Sequence, residues 1–305
     1  CARSVTDEGS PYLDFGCDHH PGAARGVAYG DGWFVTTWGW GRPGTVRRSR
    51  DGEHWEVVRE GTTFGGMAFG NGRFFAAART SELSTDDGGT WAPLTRVAFD
   101  SSAGGGVSTV RGLAFADVMG GRFVIWAANR DNHDLQITDD NGATWFRPEP
   151  AWACSGGGGV QGVATDGARL VIALENGRVC ISEDGGRNFS LESIGGEVQS
   201  ALFYTGAEFV AFDHDVMHRS PDGVNWTHTP MSSNASRMGE FAYSPVTGTF
   251  VAVETGWQRW YDRQRFYRSE DGVTWTELPQ SDFTGSHPIR NITFGYLADD
   301  AVCSL

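Results

Sequence analysis

An all-β fold is predicted by three observations. The apolar runs are short, and none keeps a helical period over a long stretch. Glycine is abundant, 43 of 305 residues, and it punctuates β-branched and aromatic runs. One short pattern of Ser or Thr, Asp, Gly and an aromatic recurs six times: SRDGEHW (49–55), STDDGGTW (84–91), TDDNGATW (138–145), SEDGGRNF (182–189), SPDGVNW (220–226) and SEDGVTW (269–275). The starts are 35, 54, 44, 38 and 49 residues apart. A period of roughly 40–45 residues is that of propeller blades, each a sheet of four short strands.

The elements follow in order. In the first unit, GVAYGDG (26–32) turns through glycine into WFVTTW (33–38), and the recurrent pattern then joins a third strand, VRRS, to a fourth, WEVVRE. The same grammar returns in GMAFGNG with RFFAAA, GLAFADVMGG with RFVIWAA, GVATDGA with RLVIALE, ALFYTGA with EFVAFD, and EFAYSPVTG with TFVAVE. A single domain over 1–305 is expected, with blades at 24–60, 65–95, 110–149, 160–192, 198–230 and 237–279. RNITFG (290–295) and AVCSL (301–305) read as the first two strands of a seventh, completed by 1–16. The expectation is a seven-bladed β-propeller, with six blades as the alternative. Pairing the N- and C-terminal strands closes the ring and removes exposed sheet edges.

The pattern has a local logic. Ser and Asp bond the amides of a tight turn, Gly supplies positive φ, and the aromatic plugs between sheets. In this the repeat resembles the Asp-box (BNR) repeat of sialidase-like β-propellers, over residues 24 to 305. The resemblance implies that the box is structural and sits on the outer rim of the bottom face. It places the ligand face opposite, on the loops before each first strand and between second and third strands.

Five of the eight histidines fall on those loops: His19, His20, His133, His214 and His287. Trp40, Trp152, Trp257, Trp260 and Tyr261 add aromatic surface there. Aligning the first strands puts Arg25, Gly65, Arg111, Gln161, Gln199, Gly239 or its neighbour, and Arg290 at one position. Arginine forks bind carboxylate or phosphate, so Arg25, Arg111 and Arg290 are expected to clamp an anion, as in the carboxylate clamp of sialidases. The competing reading has them pairing with acidic groups between blades. The family's F/Y-R-I-P motif is absent, since Arg25 sits in AARGVA.

Three functions follow. The favoured one is an enzyme, a polysaccharide lyase-like propeller acting on an acidic glycan by β-elimination at a uronate. His19, His20, His133, His214 and Tyr261 supply acid and base, and Arg25, Arg111, Arg290, Trp40, Trp257 and His287 bind substrate. The second is a sialidase-like glycoside hydrolase, for which Tyr261 with Glu254 would be the nucleophile pair and Asp18 or Asp131 the acid. The third is a non-catalytic glycan- or protein-binding surface lipoprotein. No cofactor is expected; a histidine metal site and a structural Ca²⁺ are the metal sites considered, with Asp213, His214 and Asp215 as ligand candidates. The partner is an acidic oligo- or polysaccharide, and the chain is expected to be a monomer.

Net charge −14 and a pI near 4.9 argue against nucleic acid. Every one of the 24 basic residues is arginine, so lysine Schiff-base chemistry is excluded. No apolar stretch approaches the ~18–20 residues of a membrane helix. A cysteine at position 1 resembles the processed end of a bacterial lipoprotein, the other reading being a trimmed chain end. It points to a secreted or lipid-anchored protein of the cell surface or periplasm, with any membrane contact through a lipid on Cys1. Cys154–Cys180 and Cys17–Cys303 are the expected disulfides.

Overall fold

Each pair of apolar runs separated by a glycine turn forms an antiparallel hairpin. The computed structural model describes residues 24–38, 45–60, 64–78, 82–84, 87–94, 110–127, 135–149, 154, 159–198, 200–232, 238–254, 265–279 and 291–296. Blade 1 is β1 (Ala24–Gly30), β2 (Trp33–Trp38), β3 (Thr45–Ser49) and β4 (Glu56–Glu60); blade 2 is β5 (Phe64–Gly70), β6 (Arg73–Ala78), β7 (Glu82–Ser84) and β8 (Trp91–Pro93). Blade 3 has β9 (Val110–Ala116), β10 (Arg122–Ala127) and β11 (Leu135–Thr138). Blade 4 is β12 (Val160–Thr165), β13 (Leu170–Leu174), β14 (Arg178–Ser182) and β15 (Ser190–Ser193). Blade 5 is β16 (Ser200–Tyr204), β17 (Phe209–Phe212), β18 (Val216–Ser220) and β19 (Thr227–Pro230). Blade 6 is β20 (Met238–Ser244), β21 (Thr249–Glu254), β22 (Phe266–Ser269) and β23 (Thr276–Glu277).

The chain is an all-β propeller with strands in sequential order, and among the described residues it has five complete four-stranded blades, not the seven, or alternatively six, expected; the sheet numbered blade 3 has three strands. Where its fourth strand was expected, Phe146 makes a single bridge to Ile137. Pro148 has no N–H for a ladder, and Glu149 instead donates to Arg187 O at 2.7 Å, on blade 4. No seventh sheet occurs among the described residues. The stretch RNITFG is not a strand over 291–296. The other predicted parts of that blade, 1–16 and 301–305, and the Cys17–Cys303 bridge lie outside the described residues, so closure by terminal strands is not established. The segment 291–296 nevertheless touches both end blades. Tyr29 Oη donates to Tyr296 O on one side, and Tyr296 Oη lies 2.9 Å from Ser244 Oγ on the other.

The core lies between blades. Val35, Phe74, Phe75, Phe123, Ile137, Ile172 and Phe209 are fully buried there. A cross-strand aromatic pair recurs at the first hairpin of five blades: Tyr29–Phe34, Phe69–Phe74, Phe115–Phe123, Tyr204–Phe209 and Tyr243–Phe250, centroids 4.6 to 5.0 Å apart. The disulfide Cys154–Cys180 forms as expected, with Cα atoms 5.8 Å apart.

The recurrent turn is an interblade joint. In blade 5, Ser220 Oγ donates to Asp222 Oδ1 at 3.0 Å and accepts from Gly223 N–H at 2.8 Å. Asp222 Oδ1 then accepts from the N–H groups of Val224 and Asn225, and Trp226 Nε1 donates to Gly223 O. The turn glycine has positive φ and seats on the preceding blade. A Cβ on Gly186 would lie 2.3 Å from Ile137, one on Gly272 2.5 Å from Met217. The preceding blade also reaches over. Arg48 binds Asp87, Asn71 binds Asn141, Arg122 binds Gly185 O, Arg169 binds Asp222 O, and Arg219 binds Asp271 O. Turns 2 to 6 are each latched in this way.

The turn aspartates are accordingly strong acids. Partial burial pulls Asp184 upward, but the Asn188 amides, Ser182 and Arg187 outweigh it and hold it at about 2. For Asp271, burial is likewise outweighed, by the Thr274 and Val273 amides and Ser269, again at about 2. Removing the Ser220 hydroxyl in Ser220→Ala strands two amides and should cost about 1–3 kcal/mol, read as a lower urea midpoint. The depressed carboxylates give stability that is complete above the unfolded aspartate value of about 3.9. It should be lost as pH falls from there through about 2, which an acid titration followed by circular dichroism will show.

Candidate functional site

Antiparallel order alternates the connections between two ends of each blade. The first hairpin turns and the recurrent turns share one end. The second-to-third loops and the links between blades share the other. Each innermost strand begins at this second end, and each is interrupted there by a β-bulge. The ladder skips one residue between Ala24 and Gly26, Phe64 and Gly66, Val110 and Gly112, Val160 and Gly162, Ser200 and Leu202, and Met238 and Glu240. The extra residues are Arg25, Gly65, Arg111, Gln161, Ala201 and Gly239. Bulges re-aim a side chain and are common beside functional sites.

Immediately after the bulge the inner strands press together. A Cβ on Gly26 would fall 2.4 Å from Met67 N, one on Gly66 2.9 Å from Leu113 N, and one on Gly162 2.3 Å from Leu202 N. Glycine is required by this backbone-on-backbone approach. The bulges are thereby held in a fixed arc.

The predicted first-strand position therefore coincides with the bulge at Arg25, Gly65, Arg111, Gln161 and Gly239. It is corrected in blade 5. The extra residue is Ala201, with φ +62°, not Gln199, because Ser200 pairs with Phe212 and Leu202 with Ala211. Arg25 and Arg111 are placed as backbone positions in blades 1 and 3. Arg290, His19, His20, His133, His287, Trp40, Trp257 and Tyr261 lie outside the described residues. His214 is exposed in the β17–β18 loop, its N–H bonded to Asp213 Oδ1 at 2.6 Å.

On the same face, Gly159 N–H approaches Glu175 Oε2 at 3.4 Å, close to the bulge residue Gln161. Glu254 is 7% exposed at the end of β21, and Arg265 Nε stands 3.9 Å from its carboxylate. Burial first, then Glu254, pushes the Tyr267 hydroxyl up. Tyr267 rather than Tyr261 is thus the described tyrosine near Glu254. Among the described residues no group of three or more His, Cys, Asp and Glu is arranged to hold a metal, so the Ca²⁺ expectation finds no site there.

The sequence reading placed His218 and His228 off the ligand face and missed their pairing. They stand directly opposite on β18 and β19 with Nδ1 atoms 2.7 Å apart. The signal was present: each is two residues beyond one end of SPDGVNW, so the hairpin register makes them neighbours.

No family profile matches the chain, and no curated protein sequence matches it. Similar solved structures are propellers of varied kinds. A streptogramin B lyase has TM-score 0.66 at 11% identity, covering 92% of this chain and 88% of that one. YCF48 from Cyanidioschyzon merolae has TM-score 0.56 at 14% identity over 85% of each chain. The GH74 xyloglucanase from Xanthomonas campestris has TM-score 0.57 at 17% identity, covering 85% of this chain and 45% of that one. At such identity the likeness shows the propeller fold alone.

The bulge conformation is itself testable. Left-handed backbone costs a non-glycine residue roughly 1–2 kcal/mol, and Ala201 holds it at φ +62°. Ala201→Gly should leave stability unchanged or raise it by up to about 1 kcal/mol, measured by urea denaturation.

Proposed function

We propose that the chain binds a carboxylate-bearing saccharide at the bulged end of its inner strands and cleaves it by β-elimination. The observation that carries this is arginine at the bulge position of blades 1 and 3. RNITFG repeats the pattern of RGVAYG, which aligns Arg290 with Arg25 in the sequence. A Cβ on Gly295 would meet Phe34 and Tyr29 of blade 1, much as one on Gly30 would meet Phe69 of blade 2, which supports that alignment. Three guanidiniums on one arc would neutralise a carboxylate and stabilise the enolate formed from it.

In the step itself, a histidine base takes the proton α to the carboxylate. The electron pair forms a double bond to the β-carbon, and the bond from that carbon to the glycosidic oxygen breaks. A tyrosine or second histidine protonates the leaving oxygen. His19, His20, His133, His214 and Tyr261 are the candidates for these roles, with Trp40, Trp257 and His287 against the sugar. The six turns are read as Asp boxes of a sialidase-like propeller. The protein is read as exported or lipid-anchored and monomeric. A second reading is binding without cleavage.

The test is ultraviolet absorbance of the unsaturated uronate, with a parallel reducing-sugar assay, over uronate-containing and sialylated glycans. Elimination raises both signals; hydrolysis raises reducing ends alone; a binder is silent in both but titrates by calorimetry. Arg25→Ala, Arg111→Ala and Arg290→Ala should each weaken binding of the acidic glycan roughly 10–100-fold, since a charged hydrogen bond contributes about 1.5–3 kcal/mol. Neutral glycans should bind equally to parent and variants.

A further inference from the structure

The His218–His228 pair is used by no turn, joint or proposed catalytic step. The rings are nearly perpendicular, 84°, with centroids 5.0 Å apart. Both Nδ1 atoms aim at one point from adjacent strands. A hydrogen bond there holds one proton: one ring donates and the other presents a lone pair. His218 is 2% exposed while His228 is exposed, so one ring is fixed and the other is free to turn. The link between blades 4 and 5 packs on the fixed ring. A Cβ on Gly196 would lie 3.0 Å from His218 Cε1, and Gly195 lies against His228.

We infer that His218 and His228 form a bidentate site for a borderline divalent metal such as Cu²⁺ or Zn²⁺, held through both Nδ1 atoms. Metal–imidazole bonds of about 2.0–2.1 Å at a tetrahedral angle separate two nitrogens by about 3.3 Å. The present 2.7 Å must therefore widen by about 0.6 Å, a movement the exposed His228 ring supplies. The protons balance. In the neutral pair one ring donates its Nδ1 hydrogen to the Nδ1 of the other. On binding, that hydrogen shifts to the donor ring's own Nε2 and none is lost. His218 Nε2 is buried without a hydrogen-bond partner, and the Glu197 backbone lies beside the His218 ring, an acceptor of the kind that orients a ligating histidine. Water completes the coordination, and Asp213 is the nearby carboxylate that favours positive charge on His218. Burial, then His228, keeps His218 below the ordinary histidine range, so its lone pair is open at neutral pH.

The test titrates untagged full chain with Cu²⁺, and separately Zn²⁺, by calorimetry, alongside His228→Ala and His54→Gln. Thermal melts confirm folding, and the exposed position of His228 keeps that variant folded. The expected result is one saturable equivalent in the parent and in His54→Gln. In His228→Ala the affinity should drop by more than the roughly 10–100-fold that loss of an outer partner costs, and the imidazole-to-Cu²⁺ absorption band should weaken. Equal affinity in His228→Ala would place the metal on other histidines and overturn the site. Absence of saturable binding would overturn it as well.

Discussion

The joint between a turn glycine and the blade before it is the contact on which the rest of this protein depends. A four-stranded sheet of this size has no core of its own. Its apolar faces become a core only when stacked, and the turn decides how closely they stack. At Gly88, Gly142, Gly186, Gly223 and Gly272 the missing side chain admits Val35, Phe75, Ile137, Ile181 and Met217 of the neighbour. The Ser–Asp hydrogen bonds hold the turn in the shape that presents that glycine. Arginine or asparagine from the preceding blade then ties the same turn down. Gly52 of the first turn has only its own blade's Phe34 nearby among the described residues, which marks the side of blade 1 where 291–296 arrives.

The rigid end of each blade makes the other end usable. With the turns locked, the inner strands approach until Gly26, Gly66 and Gly162 leave no room for a side chain. The one-residue bulge beside each glycine relieves the ladder at that crowded point and repeats at the same height in every blade. Arginine at two bulges, glutamine at a third and glycine at two others give one scaffold with different chemistry around an arc. Function by variation on a fixed backbone frame is what loops and bulges on a rigid scaffold provide.

Histidine shows how far local pattern reaches. His214 was singled out for its loop and proves to be exposed beside Asp213. His218 and His228 fall outside the ligand-face loops, yet the turn between them is what brings their rings together. A hairpin register places side chains as firmly as a loop does, and across strands the placement is the more reproducible.

The sequence by itself determined the all-β class, the six turns, the hairpins that precede them, the Cys154–Cys180 bridge and the shared first-strand position of Arg25 and Arg111. These depend on period-two alternation, glycine turns and side chains bonding nearby amides, all of which act within a few tens of residues. Tertiary structure alone decided that the turns are joints between blades, that Ala201 rather than Gln199 takes the bulge, and that blade 3 stops at three strands because its chain leaves toward Arg187. Each of those outcomes depends on which backbone lies across an interface, and a partner some forty or more residues away leaves no mark on the local pattern.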